Sequence, residues 1–224
     1  MFEARWFSCD DPEMMLRYML GKTGDRKFRL FACACVRRIW HLLRDERSRS
    51  SVIMAEQYAD RPGGHSQLLR FLAEARQAEQ YFHQLSSRGD SPEYDAERWA
   101  ARAAEATVQD TGWDVARNAA WSAAHALNVE AAREQNAQCE LLRDAFGNPF
   151  CPETFEPTWI NWRNRCIEQM AQTIYEERRF EELPILADAL EEAGCENETI
   201  LWHCRFPAEH ARGCWVLDGL LRKR

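Results

Sequence analysis

Three cysteines and two histidines fall within twenty residues near the C-terminus, in Cys195-Glu-Asn-Glu-Thr-Ile-Leu-Trp-His-Cys-Arg-Phe-Pro-Ala-Glu-His-Ala-Arg-Gly-Cys214. Thiolate and imidazole are ligands that Zn²⁺ favours, and four of them close a tetrahedral site. His210 and Cys214 stand four residues apart and would share one face if the segment were helical. His203 and Cys195 would complete the shell, with Cys204 as a substitute for either. The spacing follows no common zinc template, since the chain has no Cys-x-x-Cys, and Gly213 interrupts a helix between His210 and Cys214. A competing assignment needs no metal: Cys195 caps a helix end, Cys204 and Cys214 are small buried hydrophobes, and the histidines are satisfied polar groups. A third makes Cys214 a nucleophile at the start of the last helix, its thiol acidified by the macrodipole and served by His203 or His210 as base.

Two further groups of residues invite a functional reading. Trp99, Trp113, Trp121 and His125 lie at helical spacings in an alanine-rich region, a stripe that fits a packed core better than a ligand cage. Between Gly21 and Ser51, nine basic residues (Lys22, Arg26, Lys27, Arg29, Arg37, Arg38, Arg44, Arg47 and Arg49) face three acids, whereas the whole chain carries a net charge of −7. Arg26, Arg29, Arg37, Arg38 and Arg44 are the candidates for a face that binds an acidic partner or nucleic acid. The alternative is that they neutralise acidic helices of the same molecule. No nucleic-acid-binding motif accompanies them. Walker-type, dinucleotide, nucleophile-elbow and His-Glu-x-x-His signatures are likewise missing from the sequence, which points away from catalysis.

The elements that must position these groups read as helices throughout. Asp11 precedes Pro12 as an N-cap followed by proline in the first turn, and Gly21 closes that helix. From Asp25, Phe28, Phe31, Ala32, Cys35, Val36, Ile39, Leu42 and Leu43 recur every three or four residues, the pattern of a helix central to the core. Asp45 opens the next helix, Glu46 to Ala59, which Arg61-Pro-Gly-Gly64 ends. His65 to Leu85 follows, and Ser91-Pro-Glu-Tyr starts an alanine-rich region reaching Phe146. Its one sequence break, Asp110-Thr-Gly112, predicts two long helices, and Ala116, Ala120 and Ala124 would let a neighbour approach closely.

Residues 147–157 carry three prolines and are unsuited to regular helix. They divide an expected N-terminal helical bundle, 1–146, from a smaller C-terminal helical unit, 158–224, which could also pack with the first as one domain. Helices are expected at Trp159 to Arg179, Leu183 to Ala193, Glu198 to Arg205 and around Cys214 to Leu221. No alternating segments call for a sheet, so the fold class is an all-α multi-helix bundle. Nine cysteines without a signal peptide, and no apolar run near eighteen residues, are the pattern of reduced thiols in a cytoplasmic protein with no membrane span.

Arg29-Leu-Phe-Ala-Cys-Ala-Cys-Val-Arg-Arg-Ile-Trp-His-Leu-Leu43, Leu142-Arg-Asp-Ala-Phe-Gly-Asn-Pro-Phe150, and Leu186-Ala-Asp-Ala-Leu-Glu-Glu-Ala-Gly-Cys195 with His210-Ala-Arg-Gly-Cys-Trp-Val-Leu-Asp218 together resemble blocks of a bacterial protein family without an established activity. The Leu186–Gly194 piece is also similar to the signature helix of a short bacterial repeat-companion domain, but lacks that signature's tyrosine and tryptophan. The resemblance implies a bacterial helical module and no chemistry. On the residues, the leading expectation is a non-catalytic adaptor or regulatory module that binds another protein. The alternatives are a zinc-stabilised interaction module using Cys195, His203, His210 and Cys214, and a nucleic-acid-binding accessory protein using segment 21–51.

Overall fold

The computed structural model describes every residue except 62, 89–92, 110, 111 and 224. Among the described residues there are thirteen α-helices, three short 3-10 turns and no strand. The breaks expected at Pro62, at Ser91-Pro92 and at Asp110-Thr111 lie outside the described residues. No described helix is long and apolar enough to cross a membrane. The chain forms two compact units, residues 3–142 with Met1 and residues 143–224 with Phe2.

The first unit holds α1 (Glu3–Ser8), α2 (Pro12–Met19), α3 (Asp25–Arg38), α4 (Glu46–Asp60), α5 (His65–Ser87), α6 (Glu93–Thr107), α7 (Gly112–Leu127) and most of α8 (Ala131–Phe146). The caps act as the residue types dictate: Asp11 accepts from Met14 N–H at 3.1 Å, and Asp45 from Arg47 N–H at 2.8 Å. α3 is buried along most of its length and packs against α4, α6 and α7. Ala100, Ala103 and Ala104 of α6 and Ala116, Ala119, Ala120 and Ala123 of α7 are all buried, so the alanine stripe serves close helix packing. The alanine-rich region breaks once more than its composition suggests. At Asn128 the backbone turns left-handed (φ 44°) between α7 and α8, a conformation asparagine tolerates better than most residues.

Gly112 opens α7 directly against the start of α3. A Cβ there would lie 2.7 Å from the Asp25 Cα, a backbone atom that cannot swing aside. Gly112→Ala is expected to lower the stability of this unit by about 1–3 kcal/mol through overpacking, read as a fall in the midpoint of a urea transition. An unchanged midpoint would show that the α3 and α7 starts separate freely.

The second unit contains the end of α8, then α9 (Pro157–Ile160), α10 (Trp162–Glu177), α11 (Leu183–Glu192), α12 (Glu198–Arg205) and α13 (Trp215–Leu220). Its core is built on Ile167, Ile174, Tyr175, Leu186, Leu190, Ile200 and Leu217, with Cys195, Cys204 and Cys214 packed among them. The single helix expected from Trp159 to Arg179 is divided, because Arg163, Asn164 and Arg165 adopt left-handed backbone angles. Asn197 caps α12 by accepting from Ile200 N–H at 3.1 Å. The sharp end of α11 presents α12 to the core: Gly194 (φ 88°) turns left-handed, its N–H reaches the Glu191 carbonyl, and Cys195 N–H reaches the Leu190 carbonyl, both at 2.9 Å.

Candidate metal centre

Four chemically apt side chains of the second unit converge: Asp144 from the last turn of α8, His203 from α12, His210 from the loop after it, and Cys214 from the cap position of α13. One ligand atom from each lies within 4.8 Å of all the others. His203 Nε2 stands 3.2 Å from Cys214 Sγ and 3.3 Å from Asp144 Oδ1. With metal–ligand bonds of 2.0–2.3 Å, the edges of a tetrahedral zinc site run about 3.3–3.8 Å, so these separations are close to ligand-pair distances. His210 Nδ1 approaches Asp144 Oδ1 more closely, at 2.6 Å, which is a hydrogen bond.

The site is enclosed. The side chains of Asp144 and His210 are 4% and 5% exposed, and Cys214 is fully buried. Burial pushes the Asp144 carboxyl up. Hydrogen bonds from His203 and His210, with the coulombic attraction their rings add when protonated, outweigh it and hold the group at about 2. Ala211 N–H donates to the other carboxylate oxygen at 3.0 Å. Trp215 Nε1–H donates to His203 Nδ1 at 3.1 Å. One polar atom is left over: His210 Nε2 is buried without a hydrogen-bond partner. An unsatisfied buried nitrogen costs about 1–3 kcal/mol, and a cation or a donor at this position would remove that cost.

The geometry revises the quartet read from the sequence. Cys195 is not among the four. As the residue after the left-handed Gly194 it closes the end of α11 and packs its thiol into the core, where burial raises its pKa. Cys204 is buried too, its thiol pushed by burial to about 12, and it is not in the converging group. His210 and Cys214 do meet, but not on one helical face: residues 207–214 are non-helical, and Gly213 (φ 92°) turns the chain immediately before Cys214. Cys214 as a nucleophile is opposed by its surroundings. Burial and the charge of Asp144 push its thiol well above the ordinary value, overriding the lowering by the Leu217 and Val216 N–H groups at the start of α13.

No family model, curated protein or solved structure matches the chain.

The arginines singled out for a basic face are engaged within their own unit. Arg26 pairs with Asp60 at 2.9 Å, Arg37 with Glu56 at 2.9 Å, Arg38 with Glu134 at 2.9 Å and Arg44 with Glu97 at 2.8 Å. Arg29 is buried with its guanidinium on the Thr107 carbonyl. Adjacent residues on a helix point about 100° apart, so Arg37 and Arg38 of α3 reach α4 and α8 respectively instead of lining one patch. Among the aromatic candidates, Trp99, Trp121 and His125 assemble with ring centroids 3.8–5.1 Å apart, and Trp121 is exposed. Trp113 instead lies against the Arg117 guanidinium.

Asp144 and Trp215 are the residues of this candidate site that the sequence did not disclose. Asp144 lies before the proline-rich stretch, in what reads as the tail of an alanine-rich helix. Its one signal is its place in the Leu142–Phe150 block, next to the Gly-Asn-Pro turn.

Proposed function

We propose that the protein is a non-catalytic helical module whose C-terminal unit is tied together by a bound Zn²⁺, and that its role is to bind another protein. The observation carrying this reading is the convergence of Asp144, His203, His210 and Cys214 within 4.8 Å in a largely buried site. The set suits zinc in ligand type, and carboxylate and thiolate together would neutralise a divalent cation. Such a cation would link the end of α8 to the short helices α12 and α13 and to the irregular 207–214 loop. In small units of this kind, metal-binding free energy becomes folding free energy. The partner half of the proposal is supported by an exposed stack at the end of α12, where Trp202 and the following Phe206 have ring centroids 4.4 Å apart, together with the exposed Ile185 of α11.

The test is the metal content of protein purified without chelator or affinity metal. One zinc per chain is expected in the wild type, lost in Asp144→Ala, His210→Ala and Cys214→Ala and retained in Cys195→Ala. Wild-type protein free of metal, and unable to take up added zinc, would sink the reading. Loss of zinc in Cys195→Ala with retention in Asp144→Ala would restore the sequence-derived quartet. A zinc-loaded chain that captures nothing from its native host would count against the partner role alone.

A further inference from the structure

His203 faces two incompatible demands. The indole N–H of Trp215 can only donate, so its hydrogen bond at 3.1 Å requires a lone pair on His203 Nδ1. The hydrogen of the neutral ring then sits on Nε2, where it points toward Cys214 Sγ at 3.2 Å and Asp144 Oδ1 at 3.3 Å. A cation shared with those two atoms would need the Nε2 lone pair instead. In the neutral imidazole this moves the hydrogen to Nδ1, directly opposite the Trp215 N–H, and two donors 3.1 Å apart repel. The hydrogen-bonded and metal-ligating arrangements thus exclude each other at one contact.

The geometry points to Trp215 as a latch on the metal centre: Zn²⁺ seated on His203 Nε2 displaces the indole from Nδ1, making occupancy a conformational signal. This rests on the zinc reading above and adds its regulation. The bookkeeping of protons is simple. The Cys214 thiol proton leaves to solvent, and His203 remains neutral with its single hydrogen exchanged from Nε2 to Nδ1.

The surroundings of Trp215 give the signal a path. Trp215 follows the ligand Cys214 and begins α13, so its backbone cannot retreat far from the site. Its indole lies on Gly147, whose left-handed backbone (φ 62°) brings the chain so close that a Cβ would be 3.1 Å from the ring. On another side it meets Phe155, centroid to centroid at 6.0 Å. The Phe155 ring in turn fills the space a side chain would occupy at Gly219 of α13. Phe155 belongs to the non-helical stretch 147–156, so a displaced indole presses on a segment without helical hydrogen bonds to resist it. Trp215 is accordingly a positioning residue: it sets the tautomer of His203 and does not itself ligate.

The experiment is a Zn²⁺ titration of the full-length, ¹⁵N-labelled chain after removal of metal with chelator, with Trp215→Phe in parallel. In the wild type, His203 is expected to change from the Nε2–H to the Nδ1–H tautomer as zinc is added, while the Trp215 indole N–H resonance moves. Trp215→Phe, which keeps an aromatic ring but has no hydrogen bond to give up, is expected to bind zinc about five- to tenfold more tightly. Zinc binding with an unmoved indole resonance, or with equal affinity in both proteins, overturns the latch and leaves the zinc site standing. No binding by either protein overturns both. Should the variant fold poorly, the wild-type indole resonance decides the matter alone: its movement with zinc supports the latch, and its constancy overturns it.

Discussion

Asp144→Ala is expected to destabilise the C-terminal unit by about 3–5 kcal/mol even with chelator present. In the native unit one buried carboxylate accepts from His210 Nδ1, His203 Nε2 and Ala211 N. Removing it strands these donors out of reach of water at about 1–3 kcal/mol each, partly relieved by local rearrangement. That loss is a large share of the 5–15 kcal/mol typical of a domain. Hydrogen exchange in urea distinguishes the units: protection should fall across 143–224 and stay unchanged in the core of 3–142. A loss below about 1 kcal/mol would mean that the carboxylate does not organise this unit.

The same group predicts how the unit responds to acid. The folded-state pKa of Asp144 is about 2 against an ordinary 3.8, so its contribution is fully present above the ordinary value and disappears as pH falls from about 4 toward 2. The difference corresponds to about 2 kcal/mol. Asp144→Asn should flatten this part of the stability profile, because its amide does not titrate. An equally steep acid loss in Asp144→Asn would place the responsible carboxylate elsewhere.

Arg38→Met is expected to have a comparable effect on the N-terminal unit, about 3–5 kcal/mol. The Glu134 side chain is 1% exposed, and its two oxygens share one bifurcated hydrogen bond from Arg38 Nε–H, at 2.9 and 3.0 Å. Methionine fills much of the space of the arginine stem and takes the Arg38 guanidinium away from the buried carboxylate. The Gln138 amide, 3.3 Å from Glu134, can compensate only in part. The double variant Arg38→Met/Glu134→Leu should recover most of the loss, since the cost lies in the stranded charge more than in the missing pair. Chemical denaturation of the four-member cycle reads this directly. A double variant as unstable as Arg38→Met would assign the loss to packing.

The arginine pairs also show how a segment that is basic on paper meets acids brought in by the fold. Charge along the sequence is local, but Asp60, Glu56, Glu97 and Glu134 arrive from α4, α6 and α8. Their approach depends on how the helices pack, and sequence spacing does not encode it. Helix ends, by contrast, follow from neighbours within a few residues. Asp11 and Asp45 therefore read correctly as helix caps before any packing is known.

By itself the sequence determined the helical class, most helix ends, the alanine stripe used for packing, and three of the four converging residues: His203, His210 and Cys214. Each of these follows from local spacing, capping chemistry or proximity along the chain. Only the tertiary structure decided that Asp144, 66 residues before His210, joins them while Cys195 turns into the core. A ligand set is fixed by where side chains meet in space. The left-handed Gly194 turns Cys195 away, and the end of α8 carries Asp144 in. The donor on His203 was equally invisible, because which ring nitrogen is free depends on Trp215 across a folded contact.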